Sequence, residues 1–162
     1  MRRLTINRKQ LMFATMMGSA AMAIRNTGFY ITILHPFKLD PRWVFSILAA
    51  CWTGPIGGFI AGGLAALKIP YPQLDLACIP VHFCIGLAAD WLAAHNKSRL
   101  FACFLWPLLG VPAYWLATLL FLPAANPVLI IPTLTFIGAS SSIVTFFIGL
   151  AVEKRLKHIL KV

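Results

Sequence analysis

Three side chains with metal-binding or acid–base chemistry share one helical face of an apolar segment. Asp75, Cys78 and His82 stand at positions i, i+3 and i+7, which lie on the same side of an α-helix. Three mixed ligands on a single helix make a poor metal cage, and no His-rich segment adds others. The pattern therefore predicts no metal and no cofactor, and we expect this face to line a substrate site.

Further polar side chains collect near the ends of the apolar segments on the same predicted side. Ionisable groups at membrane depth are costly and usually face a cavity or a partner. The predicted substrate-binding residues are Arg25, Asn26, Tyr30, Asp40, Arg42, Asp75, His82, Tyr114 and Trp115. The predicted pocket lies beneath the loop at 27–41. Cations outnumber carboxylates there, which favours a substrate with a carboxylate or phosphate, and the aromatic residues offer a surface on which a ring can stack.

A purely structural interpretation of these residues is also open. Arg, Lys, Tyr and Trp at a headgroup boundary need no ligand, because they anchor helices at the membrane surface. This interpretation is favoured for Lys38 and Lys68. Asp40 and Arg42 could simply pair with each other.

The composition places these residues in a membrane protein. The 162-residue chain is 60% hydrophobic and only 11% charged, and its mean hydropathy is +0.84. A soluble domain could not hide that much apolar surface, and the apolar runs are close to the roughly 20 residues that cross a bilayer as a helix. The net charge of +10 does not indicate nucleic acid, since the basic residues stand at the ends of apolar runs.

Enzyme signatures are missing from the sequence. It contains no Walker A, GxSxG or HExxH motif, so we predict that the chain is not an enzyme. Its four cysteines lie inside apolar runs without a CxxC pair, which is typical of free thiols.

The stretch "FKLDPRWVFSILAACWTGPIGGFIAGGLAAL" (37–67) determines the number of helices. If it crossed the membrane once, the basic N-terminus would face one side, and "NKSR" and the tail "EKRLKHILKV" the other. A reversal at Gly54-Pro55 puts all three on one side, as the excess of Lys and Arg in cytoplasmic segments requires. We therefore predict an all-α integral membrane protein with a six-transmembrane-helix bundle, in which helices 2 and 3 are short and rich in Gly and Ala.

The predicted bundle is a single transmembrane domain, 1–162, in the cell membrane, with both termini cytoplasmic. Its helices are expected at about 10–26, 41–53, 55–68, 75–94, 100–122 and 127–152. The short arms at 41–53 and 55–68 rise only about 20 Å each, so they need close packing. Small residues in rows four apart permit that packing. In helix 1 the corresponding residues are Ala14, Gly18, Ser19 and Ala23, which either pack internally or form a partner interface.

Taken together, "KLDPRWV", "GPIGGFIAGGLAAL", "IPVHFCIGLAADWL" and "TMMGSAAMAIR" resemble the substrate-binding S components of energy-coupling factor (ECF) vitamin transporters. The resemblance spans roughly 12–94. It implies six helices, cytoplasmic termini, and a substrate-capture subunit of an ABC importer for a vitamin or small anionic metabolite. It also implies a membrane coupling subunit, contacted by helix 1, and ATPase subunits as partners.

The segment "LDPRWVFSILAACWTGPIGGFIAGGLAAL" is also similar to the five-helix sensor domain that precedes some membrane histidine kinases. That family commonly has a basic residue and glycines where this chain has "KIPYPQLD", and no kinase follows here. The alternative function is therefore a non-transporting membrane subunit, either a sensor domain or a structural subunit of a larger complex.

Overall fold

The computed structural model describes residues 5–34, 37–67, 75–121 and 127–160. Within these ranges the regular secondary structure is helical apart from one pair of short strands. The elements are α1 (Arg8–Thr27), β1 (Ile31–Leu34), β2 (Phe37–Leu39), α2 (Pro41–Ala66), α3 (Cys78–Ala94), α4 (Leu105–Phe121) and α5 (Pro127–Leu160), with 3-10 turns at Asp75–Ala77 and Arg99–Phe104. The predicted helices at 10–26, 75–94 and 100–122 correspond to α1, α3 and α4 with the turns that precede the last two.

Helix α1 begins and ends with local signals that the sequence carries. Asn7 Oδ1 accepts from Gln10 N (2.8 Å), and Asn7 N donates to Gln10 Oε1 (3.0 Å). This reciprocal capping box satisfies donors that the first helical turn leaves free. The helix ends at Gly28 in the left-handed conformation.

The segment between α1 and α2 contains a β-hairpin that the sequence analysis does not predict. Strands β1 and β2 pair antiparallel, with Ile31 opposite Leu39 and Thr32 opposite Lys38. Asp40 follows as the N-cap of α2, and Pro41 occupies its first turn, where a missing N–H costs nothing. The loop at 27–41 is thus partly ordered as strands.

Helix α2 consists of two helices that meet at Gly54, whose φ of 73° and ψ of −165° are not helical. Such a positive φ is accessible mainly to glycine. A Cβ placed on Gly58 would lie 3.1 Å from the Cβ of Ala50, whereas eight residues of continuous helix would separate them by about 12 Å. The chain therefore reverses direction at Gly54. We call residues 41–53 the first arm of α2 and residues 55–66 the second arm.

Contacts at the two ends of α2 agree with this reversal. Arg42, in the first turn of α2, binds Asp75, which also binds Arg25 near the end of α1. The carbonyl of Leu67, just after the second arm, accepts a hydrogen bond from Asn26. Both ends of α2 therefore lie at the end of the bundle where α1 leads into the β-hairpin, which we call the hairpin end.

The opposite end of the bundle, which we call the tail end, holds the turn of α2 and the α3–α4 connection. A Cβ on Gly54 would lie 2.7 Å from Asp90 Oδ2, and Asp90 pairs with Arg99 (2.9 Å). The start of α1 and the end of α5 meet as well, because Asn7 Nδ2 donates to the carbonyl of Leu160 (3.1 Å).

Small residues let α1, α2 and α3 approach closely. Gly57, in the second arm of α2, faces Ala14 of α1, and Gly58 lies against the backbone of His82 in α3. Gly86 of α3 in turn touches the backbone of Gly54. These contacts sandwich the second arm between α1 and α3, as small-residue rows do in membrane helix packing.

Helix α5 is longer than the predicted segment 127–152, because the basic tail continues the helix to Leu160. Leu156 and Leu160 stand four residues apart and are both buried. Lys157 Nζ also pairs with Glu153 Oε1 one turn earlier (2.8 Å). The tail is therefore amphipathic rather than a solvated extension.

Four helices among the described residues are long and apolar enough to cross a membrane. They are Pro41–Ala66, Asp75–Ala94, Arg99–Leu120 and Ile131–Leu160. Helix α1, which the sequence analysis predicts to cross, is not among them. Large apolar side chains such as Met16, Leu108, Leu120 and Phe147 are mostly exposed on the outside of the bundle, as lipid contact requires and water disfavours. The chain is a multi-pass membrane protein.

Candidate functional site

A buried charged cluster lies at the hairpin end, where α1, α2, α3 and α4 meet. We use the name charged cluster for Arg25, Asp40, Arg42, Asp75 and Tyr114. All five are predicted substrate-binding residues, and they come from four parts of the chain: α1, the start of α2, the turn before α3, and α4. The structure brings them into one hydrogen-bonded network.

Asp75 is the centre of the charged cluster. Its Oδ2 accepts from Arg25 Nε (2.8 Å), and its Oδ1 accepts from Arg42 Nη1 (3.0 Å) and from the Tyr114 hydroxyl (2.7 Å). Asp75 is only 2% exposed, so its charge depends on these partners rather than on water.

Arg42 links the second carboxylate to the network. Its Nη2 lies 2.9 Å from Asp40 Oδ2, and Asp40 Oδ1 accepts from the Arg42 backbone N–H (3.0 Å). Burial raises the pKa of the Asp40 carboxyl above its usual value, although the neighbouring Arg42 guanidinium opposes that rise. The guanidinium also stacks 3.9 Å from the centre of the Trp43 ring, a cation–π contact.

The charges of the cluster balance, with two arginines against two aspartates. The predicted preference for an anionic substrate depends on Arg25, Arg42, Lys38 and Lys68. Both arginines are already paired with carboxylates, while Lys68 and the side chain of Lys38 lie outside the described residues. The cluster itself therefore supplies no spare cation for an anion.

An aromatic layer lies directly against the charged cluster inside the bundle. Trp43 is its centre. The ring centroids of His82, Trp106 and Tyr114 lie 5.8, 4.9 and 5.6 Å from that of Trp43. His82 stacks nearly parallel to Trp43, at 20°, whereas Tyr114 meets it edge-on. The layer packs flat aromatic faces against one another directly beside the polar groups of the charged cluster.

Two ring nitrogens in this layer are buried without a partner among the described residues, His82 Nε2 and Trp106 Nε1. His82 Nδ1 lies 2.8 Å from the carbonyl of Cys78, and a carbonyl only accepts, so Nδ1 carries the proton. In the neutral ring Nε2 is then an acceptor, while the indole N–H of Trp106 is a donor. Each such orphaned group costs about 1–3 kcal/mol, which a bound molecule with complementary groups would offset.

Cys78 completes the polar contacts of this face. Its Sγ lies 2.7 Å from the Tyr114 oxygen. The Tyr114 hydroxyl proton goes to Asp75, so the thiol donates to the phenol oxygen. Asp75, Cys78 and His82 thus face the same region, as their spacing predicts, but each has its own protein partner. Among the described residues no group of three or more His, Cys, Asp or Glu is placed to hold a metal ion.

The other predicted substrate-binding residues lie at the margin of the site. Tyr30 accepts from Arg25 Nη1 through its hydroxyl (3.2 Å) and is partly exposed. Asn26 donates to the carbonyls of Met22 and Leu67 and ties α1 to the end of α2. Trp115 is 38% exposed and does not share the buried position of Tyr114 beside it.

The predicted partner-interface residues of α1 divide into two groups. Ala14 and Gly18 are buried against the second arm of α2, so within this chain they serve internal packing. Ser19 and Ala23 are exposed and remain on the outward face of α1. Only the second group is open to a partner helix.

Trp43 and Trp106, which shape the aromatic layer, were not predicted as site residues from the sequence. Both stand in apolar runs, where tryptophan is usually a membrane-interface anchor. Spacing alone gives no sign that they are 3% and 1% exposed. Only the adjacency of Trp43 to Arg42 hints at a role, and adjacent residues on a helix point in different directions.

No family model matches this chain, and neither the curated proteins nor the solved structures include one with significant similarity to it.

Proposed function

We propose that this protein is a membrane-embedded substrate-capture subunit of an ECF-type ABC importer. The observation that carries the proposal is the pair of orphaned ring nitrogens, His82 Nε2 and Trp106 Nε1, packed on Trp43 next to the charged cluster. An acceptor and a donor beside flat aromatic faces suit a small planar heterocycle, as found in many vitamins. A captured substrate would pair with these two nitrogens, which packing alone leaves buried without a hydrogen-bond partner among the described residues.

The proposed topology has six membrane crossings, made by α1, the two arms of α2, α3, α4 and α5. The reversal at Gly54 supports it, because it returns Leu67 to the hairpin end. The tail end then carries the basic residues Arg8, Lys9, Lys97, Arg99, Lys154, Arg155 and Lys157. An excess of Lys and Arg is expected on the cytoplasmic side. In the proposed orientation the hairpin end therefore faces outward, and both termini lie on the cytoplasmic side of the cell membrane.

In the proposed mechanism the β-hairpin is the lid of the capture site. It leads directly into Asp40 and Arg42, so its movement would disturb the charged cluster and open a way to the aromatic layer. Bound substrate would restore those contacts and close the site. The subunit binds its substrate without changing it chemically. ATP hydrolysis in separate subunits would reorient the subunit.

The proposed partners are a membrane coupling subunit and ATPase subunits. The proposed surface for the coupling subunit is the outward face of α1, where Ser19 and Ala23 are exposed beside Met12 and Met16. Small residues flanked by flexible methionines permit close helix contact.

A binding screen tests the capture proposal. The purified protein is titrated with vitamins and small heterocyclic metabolites by calorimetry, and hits are repeated with Trp106→Phe and His82→Phe. Trp106→Phe removes the indole nitrogen, and His82→Phe removes both imidazole nitrogens, including Nδ1, which bonds the carbonyl of Cys78. Each variant keeps a ring, and we expect roughly tenfold weaker binding, the scale of one lost hydrogen bond to the ligand. Trp115→Phe, on the exposed side of α4, is the control and should bind normally.

The same variants separate capture from a structural role. If Trp106 Nε1 is unpaired in the free protein, Trp106→Phe breaks no hydrogen bond there, so its loss of thermal stability should be no more than the cavity left by the smaller ring explains, while binding weakens. A full screen without a hit would contradict the proposal.

A second candidate is a non-transporting membrane subunit, such as a sensor domain or an assembly subunit. The balanced charged cluster favours it, since the arginines are satisfied without a ligand. Isolation from native membranes distinguishes the two functions. Transport predicts ATPase and coupling subunits in the complex, whereas the alternative predicts a kinase or another membrane assembly.

A further inference from the structure

A second polar site lies at the tail end, away from the aromatic layer. A cavity of about 370 Å³ opens between the first arm of α2, the α3–α4 connection and the end of α5. Its polar lining comes mainly from Trp52, Asn96, Lys97, Arg99, Glu153 and Lys157. The proposed capture function makes no use of it.

Positive charge exceeds negative charge around this cavity. Arg99 pairs with Asp90 (2.9 Å) and Lys157 with Glu153 (2.8 Å). Among the described residues no carboxylate lies within ion-pair distance of Lys97. Three cations against two carboxylates leave one positive charge uncompensated, so the cavity attracts an anion.

Trp52, which lines the cavity, carries a buried donor without an acceptor in the described ranges. Trp52 is 1% exposed, and its Nε1 has no hydrogen-bond partner among the described residues. An indole N–H can only donate. The missing partner is therefore an acceptor, and cations from two directions favour an acceptor with several charged oxygens.

We propose that the tail-end cavity binds a phosphate group. Lys97, Arg99 and Lys157 surround its oxygens with positive charge, and the Trp52 N–H donates to one of them. The phosphate belongs either to a lipid headgroup at the membrane surface or to a small soluble phosphate. This site is separate from the capture site at the opposite end. The phosphate proposal applies whether the protein is a transporter subunit or a sensor.

Two probes distinguish the sources of phosphate. Inorganic phosphate is measured by equilibrium dialysis against the detergent-solubilised protein at constant ionic strength, with chloride as the competing anion. Short-chain phosphatidylglycerol is measured by native mass spectrometry, with the matching diacylglycerol, which lacks phosphate, as its control. Binding of either phosphate probe supports the proposal and names the source.

Variants locate the binding in this cavity. We expect Lys97→Gln combined with Lys157→Gln to weaken binding about tenfold or more, and Trp52→Phe, which keeps a ring and loses the N–H, to weaken it several-fold. Lys154→Gln removes a charge from the same end of α5 outside the cavity, and we expect less than a twofold change. The proposal is overturned if neither probe binds, or if Lys154→Gln weakens binding as much as the cavity variants.

Discussion

Arg42 Nη1 lies 3.0 Å from Asp75 Oδ1 and joins the first arm of α2 to the start of α3. Both side chains are at most 5% exposed. Arg25 completes the arrangement from α1 by pairing with the other oxygen of Asp75. A carboxylate shared by two arginines ties three separate parts of the chain together beneath the β-hairpin, so its removal should affect the whole hairpin end.

Asp75→Asn tests this relationship, since it keeps the shape of the side chain and removes its charge. Arg42 would then keep only Asp40, and Arg25 would lose its carboxylate partner. We expect the free energy of unfolding to fall by about 3–5 kcal/mol, the usual effect of breaking a buried ion pair. Chemical unfolding in detergent, followed by circular dichroism, measures the change.

Glu153→Gln is the matched control for Asp75→Asn. It breaks the pair with Lys157, whose side chain is 56% exposed, and exposed pairs contribute at most about 1 kcal/mol. Similar effects of the two substitutions would mean that the charged cluster is not a structural centre.

Gly54→Ala tests the reversal in α2. The φ of 73° disfavours any residue with a Cβ, and that Cβ would approach Asp90 Oδ2 to 2.7 Å. We expect a loss of about 1–3 kcal/mol in unfolding free energy. Gly63→Ala in the second arm is the control, since nothing lies within 4 Å of its added Cβ, and it should be neutral or slightly stabilising. Equal stability of the two variants would contradict the turn.

Cysteine labelling tests which side of the membrane each end of the bundle faces. In a background without the native cysteines, we introduce Thr27→Cys, Leu67→Cys and His158→Cys, all at exposed positions. Six crossings predict that a membrane-impermeant maleimide added outside intact cells labels the first two and not the third. Labelling of only one of Thr27→Cys and Leu67→Cys would show that α2 crosses once.

The sequence predicted the main features of the helical fold for identifiable physical reasons. The Gly54-Pro55 pair and the distribution of Lys and Arg together indicated a turn rather than a kink. The β-hairpin was missed because two strands of three and four residues have little local preference and depend on packing against the bundle. The continuation of α5 beyond residue 152 was not predicted, because Leu156 and Leu160 stand among charged residues and their helical spacing of four was not recognised.

The residues of the candidate site could be predicted from their types, but the ion pairs between them could not. Asp40, Arg42, Asp75 and His82 were identified because ionisable residues are costly in a membrane. The spacing could not show that Asp75 pairs with both Arg25 and Arg42, because the three residues belong to different elements. The structure pairs the two arginines with the two aspartates, whereas the predicted surplus of cations comes from Lys68 and the side chain of Lys38, which lie outside the described residues.

Substitutions at two adjacent residues of α1 separate internal packing from partner binding. A Cβ on Gly18 would lie 2.9 Å from Leu64 Cδ1 and 3.0 Å from Ala61 Cα. Gly18→Leu should therefore push α1 away from the second arm of α2, and we expect a loss of about 1–3 kcal/mol in unfolding free energy. Thermal unfolding of the purified variant measures this loss.

Ser19→Leu places the same side chain on the exposed face of α1. Because a leucine there meets lipid and not α2, we expect unchanged unfolding of the isolated protein. If the outward face of α1 contacts a coupling subunit, Ser19→Leu should nevertheless reduce the recovery of that subunit when the complex is isolated from native membranes. Normal recovery with Ser19→Leu would exclude this face as the interface, because a leucine at a close helix contact holds the two backbones apart.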